Sequence, residues 1–188
     1  NGELKGFHDT GAFMAALKKP AVIMMLVPTG ATVDAVIKEI SPFLKRGDLL
    51  IDCGNSHYTD TQRRQVDLEG RGIDFLGAGI SGGSEGARTG LCIMAGGKPE
   101  AYDKVKNLLL AIAVKVEQQP CCVYCGEGAA GHFVKMVHNG IEYAQMQVIA
   151  EAYHLMKKVG CLNNEELADV FDSFNQSPIA SYLIEITA

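Results

Sequence analysis

The chain has 188 residues, of which 47% are hydrophobic and 21% are charged, a composition typical of globular proteins. Its formal net charge of -5 gives no basic surface of the kind that nucleic-acid-binding proteins carry. No apolar run approaches the ~18 residues that a membrane-spanning helix requires, so neither a nucleic acid nor a membrane is an expected partner.

The first part of the chain, to about residue 120, alternates strand and helix patterns. The continuous apolar run Ala21–Val27 predicts a parallel strand buried on both faces. Further elements follow in chain order: a helix over Ala31–Leu44, strands over Leu49–Asp52, Ile73–Leu76 and Leu91–Ala95, a polar helix over Thr59–Glu69 between the first two of these strands, and a helix that Pro99 opens. The alternation predicts an α/β domain with a doubly wound, Rossmann-like sheet.

Two glycine-rich segments follow predicted strands. Asn55 lies directly after the strand Leu49–Asp52, where doubly wound folds bind ligands, and its amide can donate and accept hydrogen bonds. An ordinary turn leading to a helix cap at Ser56 or Thr59 is the alternative.

The second segment, Gly77–Gly83, matches the pattern G-x-G-x-x-G only superficially, because no apolar helical face follows it. We therefore predict not a dinucleotide fingerprint but a loop whose backbone N–H groups and Ser81 hydroxyl suit a carboxylate or phosphate.

Past residue 128 the pattern becomes helical throughout. One long helix is predicted over Ala129–Val159, a second begins at the cap Asn163 and runs to about Phe174, and Pro178 opens a third. We place the domain boundary between residues 128 and 129, with an all-α part after it.

Six cysteines are scattered along the chain, and Cys122 and Cys125 form a C-x-x-C pair. A structural zinc site needs a second ligand pair, and none follows, so no metal site is expected. Reduced thiols in a cytoplasmic protein are the favoured interpretation.

The long helix carries a chemically mixed face. Lys135, His138, Asn139 and Glu142 follow one another at i, i+3, i+4 and i+7, within an arc of roughly 100°. The opposite face is apolar and comprises Val134, Val137, Ile141, Ala144 and Val148. An amine, an imidazole, an amide and a carboxylate that project together are typical of an active-site wall, although ordinary surface charges have the same spacing.

Three runs, within residues 54–64, 80–88 and 131–143, resemble the decarboxylating 6-phosphogluconate dehydrogenase family of the pentose phosphate pathway. The similarity is in order and spans nearly the whole chain. Since family chains are much longer, the resemblance implies that residues 1–128 are the C-terminal part of a dinucleotide-binding domain. Residues 129–188 would then begin the helical substrate and dimerisation domain. The phosphate-binding glycine fingerprint would lie before Asn1, and the isolated piece would be inactive.

The resemblance also implies a reaction, the oxidative decarboxylation of 6-phosphogluconate to ribulose 5-phosphate with reduction of NADP. Lys135 matches the family's base, which must be neutral to accept a proton, and Glu142 matches its acid. Substrate-binding positions are matched by Asn55, Ser81, Gly82, Gly83, His138, Asn139 and Tyr143. Val27 and Asn55 match cofactor-binding positions, and the full-length protein is expected to be a homodimer.

Two alternatives stay open. A related β-hydroxyacid dehydrogenase would share the Lys135 and Asn139 spacing but lack His138 and Glu142 in this arrangement. A truncated chain would bind sugar phosphate without turnover. Pro28 and Ser84 depart from the family pattern, which leaves a cofactor contact near Pro28 open.

Overall fold

The computed structural model of the protein describes residues 4–188. The expectation about where the cofactor domain begins concerns Asn1, which lies outside these residues. The chain divides into two compact units, the first ending at Met136 and the second beginning at Val137.

The first unit contains a five-stranded mixed sheet and a separate small hairpin. The strands are β1 (Val22–Met25), β2 (Leu49–Asp52), β3 (Asp74–Ser81), β4 (Cys92–Gly96), β5 (Lys115–Val116), β6 (Gln119–Pro120) and β7 (Cys122–Gly126). The large sheet has the order β1-β2-β3-β4-β7, and its pairs are parallel except β3 with β4, which is antiparallel. β5 and β6 form the hairpin.

Eight α-helices accompany these strands within residues 4–188. They are α1 (Thr10–Ala16), α2 (Ala31–Ile40), α3 (Tyr58–Glu69), α4 (Gly83–Thr89), α5 (Pro99–Ile112), α6 (Ala130–Lys158), α7 (Asn164–Asn175) and α8 (Tyr182–Glu185). The prediction of a Rossmann-like α/β domain followed by an all-α part is confirmed. Among the helices of the described residues, none combines the length and apolar character needed to cross a bilayer.

Two apolar clusters build the core of the first unit. One includes Leu50, Ile23 and Phe75 and packs with residues of α1 to α3. The other includes Ile51 and Leu76 and packs with residues of α5. Because side chains alternate between the faces of a strand, the two clusters lie on opposite faces of the sheet.

The prediction that the first strand is buried on both faces is wrong. β1 alternates, with Ile23 and Met25 buried but Val22 and Met24 about 40% exposed. β1 is an edge strand of the sheet, and the residues that the structure describes do not cover its second face.

Two further expectations need correction. Gly77–Ser81 belongs to β3 and not to a loop, and α4 follows it directly. Pro178 does not open the last helix, which begins at Tyr182 because the Ser181 hydroxyl caps it by accepting a hydrogen bond from the Ile184 amide.

The long helix α6 buries a different side from the one its sequence suggests. Its buried residues are Gly131, His132 and Lys135. The predicted apolar face is exposed among the described residues, as Val137, Ile141 and Val148 show at 44%, 57% and 66%. In the second unit, this face lines an apolar groove of about 690 Å³ together with residues of α7 and α8.

Candidate active site

The parallel strands β1 and β2 end at a common edge of the sheet, where β3 lies beside them. Met25 of β1 is in register with Asp52 of β2, and Asp52 is in register with Gly77 of β3. The chain therefore leaves β1 and β2 side by side, and the following loops carry Val27 and Asn55. Ligands of doubly wound folds bind outside this edge.

The loops after β1 and β2 approach each other closely at Gly54. A Cβ on Gly54 would lie 3.1 Å from Asp52 Oδ1 and 3.3 Å from the Val27 carbonyl oxygen. The next residue, Asn55, is exposed and takes part in an interaction with another group. The loops after β1 and β2, which carry Val27 and Asn55, thus meet at Gly54, and we call these two loops the rim.

A buried carboxylate organises the second loop. Asp52 is fully buried, and it accepts hydrogen bonds from the Gly54 amide at 3.0 Å and from the Ser56 hydroxyl at 2.7 Å. The guanidinium of Arg64, 2% exposed, lies 3.5 Å from the same carboxylate and supplies the opposite charge that a buried anion needs.

Arg64 also binds the region after β1. It donates to the Gly30 carbonyl at 2.9 Å and to Asp34 through Nε at 2.8 Å. The hydrogen bond from Arg64 and, next to it, one from Arg63 hold the pKa of Asp34 below its ordinary value, although burial opposes the shift.

β3 extends past the end of its parallel neighbour β2, because Gly77 pairs with Asp52 and the strand continues to Ser81. Gly82 and Gly83 follow with φ angles of 132° and 58°, in the region that favours glycine. Ser81 is half-buried, and both glycines are exposed at the surface of the first unit.

The start of α6 packs against backbone of this sheet without intervening side chains. A Cβ on Gly131 would lie 2.6 Å from the Gly96 amide nitrogen and would clash with the carbonyl oxygen of Gly77. A Cβ on Gly79 would clash with the side chain of Lys135. This close approach brings Lys135 against Gly79 of β3. Ser81 follows two residues later on the same face of the strand.

Lys135 is only 7% exposed and has an interaction partner within the described residues. One turn earlier, His132 is 1% exposed, and its Nδ1 lies 2.6 Å from the Thr61 hydroxyl. Burial lowers the pKa of His132, and the nearby Asp52 carboxylate opposes that shift.

The other polar residues of α6 belong to the second unit. His138 Nδ1 lies 3.3 Å from Asn139 Oδ1 and 3.7 Å from Glu142 Oε2. These three side chains are half-buried, whereas Tyr143 is exposed. In sequence, His138, Asn139 and Glu142 follow Lys135 by three, four and seven residues within helix α6.

The structure thus brings Lys135 together with the β3 end that carries Ser81, and Val27 together with the loop of Asn55. It adds Asp52, Thr61, Arg64 and His132, which sequence reasoning did not single out. His132 has a recognisable signal, since it lies three residues before Lys135 on the same side of the helix.

Of the six cysteines, Cys53 is buried, Cys161 is exposed and the other four are half-buried. Burial is the first cause that raises the pKa of Cys53, to about 12, and it also raises the pKa of Cys92, Cys122 and Cys125. No group of three or more His, Cys, Asp or Glu residues between residues 4 and 188 is arranged to hold a metal ion.

Two family models cover almost all of the chain. Residues 1–126 match the NAD binding domain of 6-phosphogluconate dehydrogenase, and residues 131–188 match the 6-phosphogluconate dehydrogenase C-terminal domain.

Curated relatives give the same result. The decarboxylating 6-phosphogluconate dehydrogenase 1 of Spinacia oleracea is 50% identical over 188 residues, which are 100% of this chain and 39% of the relative. An NAD(+)-dependent, decarboxylating 6-phosphogluconate dehydrogenase of Bacillus subtilis (strain 168) is 49% identical over 185 residues, which are 98% of this chain and 40% of the relative. The chain therefore spans about two fifths of the length of these relatives.

Two solved structures extend the comparison. Plasmodium falciparum 6-phosphogluconate dehydrogenase, described in its apo form and with NADP+ or 6-phosphogluconate, matches with a TM-score of 0.89 and 41% identity. That match covers 94% of this chain and 38% of the other. Mycobacterium tuberculosis 3-hydroxyisobutyrate dehydrogenase with L-serine matches with a TM-score of 0.76 and 26% identity, over 94% of this chain and 57% of the other.

Proposed function

The chain belongs to the 6-phosphogluconate dehydrogenase family, and from this premise we propose the reaction of the full-length protein that contains it. The reaction is the oxidative decarboxylation of 6-phosphogluconate to ribulose 5-phosphate with reduction of NADP. The observation that carries the proposal is the buried Lys135, packed against Gly79 of β3 just before Ser81.

In this proposal residues 1–128 are the C-terminal part of the dinucleotide-binding domain, and residues 129–188 begin the helical substrate and dimerisation domain. The rim formed by the loops after β1 and β2 fits a dinucleotide, because backbone and amide groups meet there at the carboxyl edge of parallel strands. Val27, through its backbone, and Asn55 would hold the cofactor. When bound, the nicotinamide ring supplies a hydride acceptor.

NADP rather than NAD is part of the proposal. The Plasmodium falciparum structure is described with NADP+, whereas the Bacillus subtilis relative is described as NAD(+)-dependent. Steady-state kinetics with each cofactor test this choice directly. A higher kcat/KM with NAD would overturn it without affecting the rest of the proposed reaction.

Lys135 acts first, as a base. Its neutral amine accepts the proton of the substrate's C3 hydroxyl while the C3 hydrogen leaves as hydride, so that a 3-keto acid forms. The resulting ammonium then donates a proton to the C3 carbonyl oxygen as CO₂ departs, which gives an enediol. Burial of Lys135 suits this role because a low dielectric disfavours the ammonium relative to the amine.

Glu142 acts last, as an acid. It donates a proton to the carbon that lost CO₂, while Lys135 takes back the proton of the enediol hydroxyl, and ribulose 5-phosphate results. Two groups are required because one side chain cannot hold and supply protons at two carbons in the same step.

The remaining polar groups would orient the sugar acid. Substrate binding is assigned to Asn55, Ser81, Gly82, Gly83, His138, Asn139 and Tyr143, with Tyr143 on the phosphate. The full-length protein is proposed to act as a homodimer in the cytoplasm. A β-hydroxyacid dehydrogenase activity has less support, because the comparison with 3-hydroxyisobutyrate dehydrogenase gives lower identity and a lower TM-score.

Substitution of Lys135 tests the proposed reaction. In the full-length protein, Lys135→Met should lower the rate of NADPH formation from 6-phosphogluconate by ~10²–10⁴, since no base remains for the C3 hydroxyl. The matched control is Lys158→Met, which removes an exposed lysine from the last turn of the same helix and should leave the rate unchanged. Near-normal NADPH formation by Lys135→Met would show that Lys135 has a structural role and is not the base.

A further inference from the structure

Helix α3 carries two buried polar side chains, one turn apart, that reach different parts of the candidate site. Thr61 is 0% exposed and Arg64 is 2% exposed. Polar groups buried to this degree in a helix are held there by specific partners. Their partners show what α3 connects.

Arg64 connects α3 to the rim. It donates to the Gly30 carbonyl after β1 at 2.9 Å and to the Ser56 hydroxyl after β2 at 3.3 Å. It also lies 3.5 Å from Asp52, whose carboxylate accepts the Gly54 amide. Both loops of the rim are therefore fixed to the same side chain of α3.

Thr61 connects α3 to helix α6, which carries the proposed base Lys135. Its hydroxyl lies 2.6 Å from Nδ1 of His132, which precedes Lys135 by one turn of α6. The other ring nitrogen of His132 is buried and has no partner with good hydrogen-bond geometry within residues 4–188, although the backbone of Gly54 and Asp52 acts on the ring and favours its protonated form. The contact of Nδ1 with the Thr61 hydroxyl is thus the short side-chain hydrogen bond that orients the ring.

The His132 ring also packs closely against the sheet at Gly77. Its Nδ1 and the methyl group of Thr61 would each lie 2.8 Å from a Cβ on Gly77, so ring and threonine share the space that the glycine leaves. A shift of His132 would move the turn that carries Lys135. Apolar side chains at these two positions could fill the same space. Only a hydrogen bond between them fixes the rotation of the imidazole ring.

We propose that Thr61 and His132 are positioning residues, which fix Lys135 relative to the rim through the hydrogen bond between the Thr61 hydroxyl and His132 Nδ1. Helix α3 then couples the loops that would hold the cofactor to the base that would act on the substrate. The inference rests on the proposed function, because it assigns a catalytic role to Lys135.

The test uses paired variants of the full-length protein. Thr61→Val removes the hydroxyl at nearly constant shape, and Thr61→Ser keeps it. His132→Asn places an amide oxygen near the position of Nδ1, whereas His132→Gln places its amide near the other nitrogen. Thr10→Val is the control, because Thr10 bonds Glu39 away from the rim and from α6.

Thr61→Val and His132→Gln should lower kcat by about tenfold or more, while the KM values for 6-phosphogluconate and NADP change by less than about threefold. A base displaced by ~1 Å slows the chemical step but leaves substrate binding largely unchanged. Thr61→Ser, His132→Asn and Thr10→Val should keep kcat within about threefold of the parent. Hydrogen exchange measured by mass spectrometry should rise at residues 130–136 in Thr61→Val and remain at the parental level in Thr61→Ser.

Each result decides between positioning and simple packing. If Thr61→Val lowers the folded fraction while kcat per folded site is unchanged, the hydrogen bond is structural and the inference is wrong. Equal kcat in His132→Asn and His132→Gln would also overturn it. Full activity of Lys135→Met would instead refute the proposed function. If Lys135→Met loses activity but Thr61→Val keeps the parental kcat, only the positioning role is refuted.

Discussion

A buried imidazole makes the stability of the fold depend on pH. Burial lowers the pKa of His132 below its ordinary value of 6.5, so the unfolded chain binds a proton there more readily than the folded one. The stabilisation from this residue is complete above about pH 6.5 and is lost as the pH falls through the lowered pKa. We therefore expect the free energy of unfolding to begin to fall below pH 6.5.

His132→Asn provides the matching measurement. Asparagine does not titrate, so urea unfolding of this variant should show a flatter dependence on pH below 6.5 than the parent. The pKa values of Asp34 and Asp48 are lowered from 3.8, and their contributions are therefore lost only at more acid pH. Parallel pH curves for parent and variant would contradict the expectation.

The two proton carriers can be separated at Glu142. In the full-length protein, Glu142→Gln should slow formation of ribulose 5-phosphate by ~10²-fold or more, because an amide keeps the shape but cannot serve as the acid. Decarboxylation of a preformed 3-keto acid should be affected less. Glu151→Gln, on the same helix, should change neither rate, and equal slowing of both steps by Glu142→Gln would contradict the division of roles.

At the scale of the element, α6 holds its place through backbone contact. Gly131→Ala should lower the free energy of unfolding by at least ~1–3 kcal/mol. The added methyl group overlaps backbone atoms of Gly77 and Gly96 that are fixed in the sheet. Urea unfolding of the full-length protein measures the change.

The same helix offers an internal control at Gly140. Nothing lies within 4 Å of a Cβ built there, so Gly140→Ala should stabilise the helix by ~1 kcal/mol through its higher helix propensity. Similar effects of the two substitutions would show that close packing at Gly131 does not determine the position of α6.

Local patterns predicted most elements because their signals lie within each element. The strand Leu49–Asp52 and the cap at Asn163 are confirmed, the latter with its capping box to Glu166. The glycine-rich end of β3 was missed, because those glycines are required by contact with α6, far away in sequence. The strand β7 was also missed, and its partner β4 lies across a helix in sequence.

The candidate site shows the same limit. A helical face is visible in the spacing of Lys135, His138, Asn139 and Glu142. The Thr61–His132 hydrogen bond joins residues 71 positions apart, and no local pattern encodes it. The apolar periodicity of α6 correctly identified a helix but not its buried side, because burial depends on what packs against it.

At the scale of the whole molecule, the chain leaves apolar surface exposed. Leu26 after β1 is 77% exposed, and Val22 and Met24 lie on the uncovered face of that edge strand. Such an edge is a template for pairing with other chains. We therefore expect residues 1–188, expressed alone, to self-associate with increasing concentration in analytical ultracentrifugation.

The same isolated chain should give no measurable NADPH from NADP and 6-phosphogluconate, because it spans only about two fifths of its relatives. The full-length protein at equal molar concentration is the reference for this assay. Robust turnover by residues 1–188 alone would show that the cofactor site is complete within them.

The glycine contacts of α6 also lead us to expect an order of assembly during folding. Gly131 meets Gly77 of β3 and Gly96 of β4, so we expect its turn to dock only after these two strands have paired. Contacts between residues far apart in sequence form late because chain closure must come first. Pulse-labelled amides of β3 and β4 should gain protection before those of residues 130–136, and the surroundings of Lys135 would be among the last parts of the first unit to mature.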